Sequence, residues 1–283
     1  MPSDDSLRQR LDVLDEDLRQ RGSVLVAFSG GADSAFVLAA AVRALSARRV
    51  GAATAYSDSL PLGERGPARD FAERLGVRVL TPRTDEMARE GYRANDGDRC
   101  YFCKAELLEV LGPLAARHGY AHVATGNNAD DAVAGFRPGI RAAAERGAIT
   151  PLKDAGLTKA QIREASRAWD LPTWDKPAAA CLASRVVYGI EVSPFRLARI
   201  ERAESAVRSA LEHAGVAVRN LRVRDLDDLA SIEIDADAVD AAHQVPAVLE
   251  AALSAGFADA RIDRAGFRSG SMNERLTDPG RFR

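Results

Sequence analysis

The chain has 283 residues, of which 46% are hydrophobic and 28% are charged, so it is long enough to fold around a sizeable core. Its 39 basic and 41 acidic residues give a formal net charge of −2, which argues against a general attraction to nucleic acid or to an anionic membrane. The longest apolar run is far too short for a membrane span, and the N-terminus lacks the pattern of a signal peptide. We therefore expect a cytoplasmic protein.

Strands and helices alternate over the first half of the chain. An amphipathic helix is predicted to end at Gly22, and the segment 57–66 is rich in turn residues. The predicted strands are 23–28, 50–56, 77–80 and 122–125, and further helices are predicted at 35–45, 67–75 and 100–118. This alternation predicts an α/β fold with a doubly wound parallel sheet, covered by helices on both faces.

The alternation weakens after Pro151, and the rest of the chain predicts a smaller α+β domain. Helices are predicted at 157–169, 194–214 and 236–255, strands at 221–226, 230–234 and 260–263, and an irregular loop at 171–189. We place the domain boundary at Gly189, which gives an N-terminal domain of residues 1–189 and a C-terminal domain of residues 190–283.

A glycine turn, Ser-Gly-Gly-Ala-Asp-Ser, joins the first predicted strand to a helix. Its backbone N–H groups, its serine hydroxyls and the positive end of the helix together form a cradle for an anion such as phosphate. The turn lacks the lysine of a Walker A loop and the spacing of a dinucleotide-binding loop. The residues that we expect to bind the anion are Ser29, Gly30, Gly31 and Ser34.

This turn resembles the pyrophosphate loop (PP-loop) of the N-type ATP pyrophosphatases, which split ATP into AMP and pyrophosphate. The resemblance implies ATP binding, a Mg²⁺ ion held with the help of Asp33, and adenylation of an oxygen on the substrate. The segment Thr-Gly-Asn-Asn-Ala-Asp-Asp at 125–131 is similar to a second motif of that family and adds Gly126 to the ATP site, although an Asn- and Asp-rich helix cap explains its side chains equally well. The family holds adenosine near the position of Ser57.

The three cysteines carry a second kind of chemistry. Cys100 and Cys103 are expected on one face at the start of a helix, where the positive helix end lowers thiol pKa values, and Cys181 lies in the irregular loop. A redox pair, a zinc site and an iron–sulfur site are all compatible with one Cys-x-x-C motif. Three thiolates suit a [4Fe–4S] cluster with one iron open to a further ligand.

Four longer strings resemble the LarE-type ATP-dependent sulfur transferases. They are Cys-Leu-Ala-Ser-Arg at 181–185, Trp-Asp-Lys-Pro at 174–177, the Pro-Leu and Leu-Thr-Lys pattern over 151–163, and Gly-Phe-Arg-Ser-Gly-Ser-Met-Asn-Glu at 266–274. The resemblance implies adenylation of a carboxylate on pyridinium-3,5-biscarboxylic acid mononucleotide and its conversion to a thiocarboxylate, a step in making the nickel-pincer nucleotide cofactor of lactate racemase. Arg185 is assigned to the ATP site.

The family has two sources of sulfur. Some members sacrifice the cysteine that matches Cys181, which becomes dehydroalanine, and members with three cysteines carry sulfide on a [4Fe–4S] cluster. Because this chain has Cys100 and Cys103 as well, we favour the cluster, with all three cysteines as ligands and a sulfur donor of unknown identity.

Alternating arginines offer a grip for the substrate phosphate. Arg222 and Arg224 are expected to point to one face of a strand, about 7 Å apart, although a solvated strand face gives the same pattern. A small anion nest at 268–271 and a second divalent-ion site are weaker candidates; the carboxylates of that ion site would be Glu201, Glu233 and Asp235.

Other functions stay open on the sequence alone. A tRNA thiolase also adenylates and uses three cysteines, but the acidic net charge disfavours a nucleic-acid partner. An amidating synthetase gives the cysteines no role, and a nucleotide-binding scaffold without catalysis would need them only as structural residues. We expect a homo-oligomer.

Overall fold

A computed structural model describes residues 3–133, 138–177, 180–268 and 270–272. The strands are β1 (Val24–Ala27), β2 (Val50–Ala53), β3 (Arg78–Leu80), β4 (His122–Ala124), β5 (Leu221–Leu226), β6 (Leu229–Ile234) and β7 (Asp259–Ile262). The helices are α1 (Ser3–Arg21), α2 (Ala32–Leu45), α3 (Leu62–Arg74), α4 (Glu90–Arg93), α5 (Arg99–Arg117), α6 (Ala129–Val133), α7 (Pro138–Glu145), α8 (Pro151–Asp154), α9 (Lys159–Ala168), α10 (Pro194–His213), α11 (Val239–His243) and α12 (Pro246–Ser254).

The first four strands form one parallel sheet in the order β3-β2-β1-β4. Successive residues of β1 point to opposite faces, so Val24 and Val26 pack with α1, α2 and α9 while Leu25 packs with α5. All three side chains are fully buried, as expected for a parallel strand with helices on both sides. The predicted α/β class with a parallel sheet flanked by helices is confirmed, and the arrangement is Rossmann-like.

The strand order sets the position of the functional residues. From β1 the chain adds β2 and β3 on one side, and it then returns to add β4 on the other side of β1. The carboxyl ends of β1 and β4 are therefore neighbours at the point where the strand order reverses. Open α/β sheets bind ligands in the crevice at such a point.

A second sheet contains β5, β6 and β7, with β5 and β6 antiparallel and β6 and β7 parallel. Its main helices are α10 and α12, which pack against each other. In this part of the chain, the predicted helix 236–255 is broken into two shorter helices, α11 and α12. The break comes at Pro246, which has no backbone N–H and begins a new helix instead of continuing the old one.

The chain divides into two compact units, and their bounds differ from a single cut at Gly189. The first unit contains Met1–Glu86 and Cys100–Ala179, whereas the second contains Met87–Arg99 and the chain from Ala180 onward. Hydrogen bonds explain why 87–99 joins the second unit. Asn95 Nδ2 donates to the carbonyls of Val187 and Ile190, both at 2.8 Å, and Arg99 Nη1 donates to the carbonyl of Ala183 at 2.9 Å.

Several short helices, namely α4, α6, α7 and α8, were not predicted. They have eight residues or fewer, too short to show a helical period in the sequence. Over the described ranges, no helix is long and apolar enough to cross a membrane.

Candidate functional site

The glycine turn of the first unit runs from the end of β1 into the first turn of α2. Gly30 has a φ of +73°, which favours glycine, and Gly31 is the N-cap residue of α2. The hydroxyls of Ser29 and Ser34 lie 3.1 Å apart, and the hydroxyl of Ser34 is 3.1 Å from the carbonyl of Gly31. This turn therefore brings two serine hydroxyls to a helix N-terminus, where the first N–H groups have no acceptor within the helix.

Gly126 lies directly against this turn because β4 is the neighbour of β1. A Cβ added at Gly126 would come within 2.9 Å of the backbone nitrogen of Ser34 and within 3.2 Å of the carbonyl carbon of Asp33. Backbone atoms cannot move aside as a side chain can, so only glycine fits. The structure thus brings the two motifs that the sequence assigned to ATP into contact.

Asp33 is the charged centre of the first unit's site. Its Oδ2 accepts a hydrogen bond from Lys159 Nζ at 2.6 Å and one from Asn128 Nδ2 at 3.4 Å. In the part of the chain that the structure describes, its Oδ1 is buried and has no hydrogen-bond partner. A buried carboxylate oxygen with no donor fits a hard cation such as Mg²⁺, which prefers oxygen ligands.

Asn128 serves the helix and the site at once. Its Oδ1 accepts hydrogen bonds from the backbone N–H groups of Asp130 at 2.9 Å and Asp131 at 3.2 Å, which is how an N-cap residue satisfies the first turn of a helix. Its amide nitrogen faces Asp33. The helix-cap interpretation of the 125–131 segment therefore holds for this side chain, which also contacts Asp33 of the glycine turn.

Two lysines at this site were not singled out from the sequence. Lys159 begins α9 and reaches Asp33, and its backbone N–H donates to Asp130 Oδ2 at 2.8 Å. Lys176 Nζ donates to the carbonyl of Gly30 at 3.1 Å and to Glu64 Oε2 at 2.5 Å. Both belong to strings that carried the family resemblance, but nothing local to either lysine indicates a contact with a turn more than a hundred residues earlier.

Ser57 lies beyond the carboxyl end of β2. Its hydroxyl lies 3.3 Å from the backbone nitrogen of Ser59, which donates to it, and its carbonyl accepts from Arg65 at 3.4 Å. Ser59 in turn donates to the buried carboxylate of Glu86. These contacts hold the turn after β2 in one shape at the same edge of the sheet as the glycine turn.

Cys100 and Cys103 lie in the first turns of α5, as predicted. Cys100 is exposed and Cys103 is partly buried. Burial lowers the pKa of the neighbouring Lys104, while the charges of Cys103, Asp131 and Cys100 act in the opposite direction. One ammonium group therefore lies within electrostatic reach of both thiols.

Cys181 belongs to the second unit, where it precedes a short 3₁₀ helix, Leu182–Arg185. Its carbonyl accepts hydrogen bonds from Ser184 Oγ at 2.7 Å and from Arg185 Nη1 at 2.8 Å. Within the described ranges, no group of three or more Cys, His, Asp or Glu side chains is arranged to hold a metal ion. Cys100 and Cys103 belong to the first unit, and Cys181, the third expected ligand, belongs to the second.

Arg185 is almost completely buried, with 3% of its side chain exposed. Its guanidinium makes two bonds to the carboxylate of Glu204, at 2.9 and 3.2 Å, besides its bond to the carbonyl of Cys181. The residue that the sequence assigned to ATP therefore holds the backbone around Cys181 in this structure.

Arg222 and Arg224 lie on β5 as predicted but have different surroundings. Arg224 forms a buried ion pair with Glu233 at 2.8 Å, and both side chains are more than nine-tenths buried. Burial and the neighbouring charge of Arg185 lower the pKa of Arg222 to about 10, against the attraction of Glu204. Four guanidinium groups, those of Arg185, Arg208, Arg222 and Arg224, therefore outnumber the carboxylates of Glu204 and Glu233, so positive charge predominates around Arg222.

The weaker candidates of the second unit have structural partners. Ser271 Oγ lies 3.2 Å from Glu233 Oε1 and accepts from Arg224 at 3.3 Å, whereas Ser269 of the predicted anion nest lies outside the described residues. Asp235 accepts hydrogen bonds from the backbone of Arg219 and from the backbone and side chain of Asn220. Glu233 and Asp235 are therefore engaged in the fold of this unit.

Known proteins resemble this chain over most of its length, although no family model matches it. An uncharacterised protein of Synechocystis sp. is 37% identical over 274 residues, which cover 96% of this chain and 99% of that protein. An uncharacterised protein of Methanocaldococcus jannaschii is 26% identical over 246 residues, or 87% of this chain and 91% of that protein. The pyridinium-3,5-bisthiocarboxylic acid mononucleotide synthase of Lactiplantibacillus plantarum is 33% identical over 264 residues, or 92% of each chain. The chain therefore belongs to the LarE-type family of that synthase.

Proposed function

We propose that this protein is an ATP-dependent sulfur transferase that converts a carboxylate of pyridinium-3,5-biscarboxylic acid mononucleotide into a thiocarboxylate, for the nickel-pincer nucleotide cofactor. The observation that carries the proposal is Asp33 at the glycine turn, where β1 and β4 end together: its Oδ1 is buried and has no hydrogen-bond partner among the described residues. The relative named as a synthase of the bisthiocarboxylic acid mononucleotide supports the choice of substrate.

The first half-reaction is adenylation. A substrate carboxylate oxygen attacks the α-phosphorus of ATP, the bond from that phosphorus to the bridging oxygen breaks, and pyrophosphate leaves with the electron pair. Ser29, Ser34 and the backbone N–H groups of the turn would bind the pyrophosphate. Asp33 would hold Mg²⁺, which neutralises phosphate charge when bound.

Lys159 gives this site a fixed cation. Its ammonium group lies 2.6 Å from Asp33, so it is placed beside the turn without belonging to it. A Walker loop supplies a lysine from its own sequence, and here the lysine comes from the start of α9. Ser57 and Gly126 complete the proposed nucleotide site, and Arg185 stays a proposed ATP contact.

The second half-reaction replaces AMP by sulfur. The sulfur nucleophile attacks the acyl carbon, the bond to the AMP oxygen breaks, and a thiocarboxylate forms. The positive excess around Arg222 and Arg224 would bind the phosphate of the mononucleotide, because paired guanidinium groups match a phosphate monoester.

The proposed sulfur source is a [4Fe–4S] cluster held by Cys100, Cys103 and Cys181 and recharged by a sulfur donor of unknown identity. Cys100 and Cys103 belong to the first unit and Cys181 belongs to the second. In the alternative, the sulfur of Cys181 forms the bond to the acyl carbon. Its Cβ–S bond then breaks as the Cα proton is lost to water, so the thiocarboxylate leaves and dehydroalanine remains. We further propose a homo-oligomer in the cytoplasm.

The test of adenylation is pyrophosphate release from ATP. Release should require pyridinium-3,5-biscarboxylic acid mononucleotide, and mass spectrometry should find the substrate with one oxygen replaced by sulfur. ATP turnover that ignores this substrate, or that proceeds equally with bulk tRNA, would contradict the proposal.

The sulfur source needs a separate measurement, namely intact mass and iron content of anaerobic protein before and after one turnover. Cluster-bound sulfide predicts about four irons per chain and an unchanged polypeptide mass. Sacrifice of Cys181 predicts an iron-independent turnover and the loss of one H₂S from the polypeptide. These two outcomes cannot be confused.

A further inference from the structure

Lys176 contacts the glycine turn on the side that faces α3. Its ammonium group donates to the carbonyl of Gly30 and to the carboxylate of Glu64, and both side chains are about three-quarters buried. The base of the residue is fixed too, because its N–H donates to the carbonyl of Thr173 at 3.2 Å and its carbonyl accepts from Arg163 at 3.3 Å. An anchored, charge-balanced lysine thus holds one carbonyl oxygen of the turn.

The hydrogen bond from Lys176 to the carbonyl of Gly30 also determines the direction of the N–H group of Gly31. The carbonyl of Gly30 and the N–H of Gly31 belong to the same planar trans peptide and point in opposite directions. Lys176 holds the oxygen on the α3 side, so the N–H is turned to the other side. There it donates a long hydrogen bond, of 3.4 Å, to the hydroxyl of Ser29, among the groups proposed to bind pyrophosphate.

This peptide needs an external hold because glycines flank it on both sides. Glycine allows many backbone conformations, so the peptide can rotate at little cost. Rotation would turn the carbonyl oxygen toward the phosphate oxygens, where like partial charges repel. A larger residue at position 30 cannot restrict the turn, because its Cβ would meet the Cβ of Ala68 at 3.0 Å.

We propose that Lys176 is a positioning residue for pyrophosphate, which fixes the Gly30–Gly31 peptide so that its N–H donates to the bound anion, with Glu64 holding the lysine in place. The inference rests on the proposed function, in which the glycine turn binds the pyrophosphate part of ATP. Lys176 acts through the backbone and does not touch the nucleotide. Its loss should therefore weaken the binding of pyrophosphate and of ATP but not of AMP, which lacks the group that the turn holds.

The experiment measures the binding of magnesium pyrophosphate, magnesium ATP and AMP to the full-length protein by calorimetry. K176M should bind pyrophosphate and ATP roughly tenfold more weakly than the wild type, with AMP affinity and melting temperature nearly unchanged. K176R keeps a donor for the carbonyl and should recover most of the affinity. K153M is the matched control, because the Lys153 side chain forms an ion pair with the adjacent Asp154 at 3.6 Å. This variant should bind all three ligands normally.

Two results would separate this inference from the function on which it depends. Equal pyrophosphate binding by K176M and the wild type would overturn the role of Lys176 and leave the proposed function standing. A wild-type protein that binds neither pyrophosphate nor ATP would overturn both. If K176M does not fold, E64Q provides the test, because it weakens the contact that holds Lys176 in place. E64Q should bind pyrophosphate roughly threefold more weakly than the wild type. Unchanged binding by E64Q would refute the positioning role of Lys176.

Discussion

The glycine turn of the first unit and the arginine cluster of the second unit handle charge in opposite ways. At the turn, Asp33 has one oxygen without a partner among the described residues, and the groups proposed to bind the anion are mainly backbone N–H groups and hydroxyls. In the second unit, Arg185 and Arg224 are buried and bound to Glu204 and Glu233. A substitution at the glycine turn should therefore reduce activity while the protein stays folded. A substitution that breaks one of the buried ion pairs should instead destabilise the folded protein.

The largest effect is expected at Asp33. Asp33→Asn removes the charge that would hold Mg²⁺, so pyrophosphate release should fall by at least about a thousandfold while the protein stays folded. Asp70→Asn is the control, because the Asp70 side chain is 64% exposed and lies beside Arg69 on the surface of α3. Turnover by the Asp33→Asn variant within about tenfold of the wild type would show that the carboxylate does not work as proposed.

Arg224 tests the opposite behaviour. Arg224→Met leaves Glu233 buried without its partner and should lower the free energy of unfolding by about 3–5 kcal/mol, measured by urea denaturation. The double change Arg224→Met with Glu233→Leu should regain most of the stability but not the binding of substrate phosphate. A fully stable single variant would mean that the pair contributes little to the fold.

Gly126 tests whether the contact between the two ATP motifs is as close as the structure indicates. Gly126→Ala places a Cβ against the backbone of Ser34 and should cost about 1–3 kcal/mol of unfolding free energy, with a fall in pyrophosphate release. Gly112→Ala is the matched control, because a Cβ at this position in α5 meets nothing within 4 Å. That variant should be as stable as the wild type or slightly more stable. If both changes behaved alike, the close approach would be disproved.

Arg222 is expected to lower the stability of the folded protein while it contributes to the binding of the substrate phosphate. Its pKa is lowered to about 10 by burial and by Arg185, so the folded protein holds the charged form at a cost. Above pH 10, the folded state binds fewer protons at Arg222 than the unfolded state does. The free energy of unfolding should therefore rise as the pH increases from about 10 toward the ordinary pKa of arginine. Arg222→Gln should therefore raise the unfolding free energy by about 1 kcal/mol at neutral pH after allowance for solvent screening, and should weaken stabilisation by added phosphate. Lower stability without phosphate would contradict this account.

The smallest effect concerns Asp235. Burial alone would raise the pKa of Asp235, but hydrogen bonds from Asn220 and from the backbone of Arg219 lower it below the ordinary value of 3.8. The ionised carboxylate of Asp235 therefore stabilises the folded protein above pH 3.8, and this stabilisation is lost as the pH falls through the lowered pKa. Asp235→Asn should cost about 0.5 kcal/mol near neutral pH, with a difference from the wild type that vanishes in strong acid. Urea denaturation at a series of pH values measures this.

Sequence patterns predicted the parts of the site that are local in the chain. The run Ser29 to Ser34 lies between a buried strand and a helix, so its conformation follows from its own residues and their neighbours. Gly126 was assigned from a turn after a strand that is similar to a second motif of the pyrophosphatase family. The parallel sheet followed from the alternation of strands with helices.

What the sequence could not predict depends on contacts between distant segments. Lys159 and Lys176 reach the turn only after the whole sheet has formed, and neither stands out in its local sequence. The partner of Arg224 depends on the register of β5 against β6, which places Ser231 directly opposite it and Glu233 diagonally across. Alternation along one strand gives the face of a side chain but not its partner on the next strand.

The discontinuity of the second unit has a consequence for how the protein is made. Residues 87–99 leave the ribosome well before the segment around Val187 and Ile190 that Asn95 binds, so this piece must wait for the rest of its unit to be synthesised. A fragment ending after the parallel sheet would expose Asn95 and Arg99 without the carbonyls that they bind. Neither half of this polypeptide should therefore fold well when produced alone, and co-expressed halves should rescue each other.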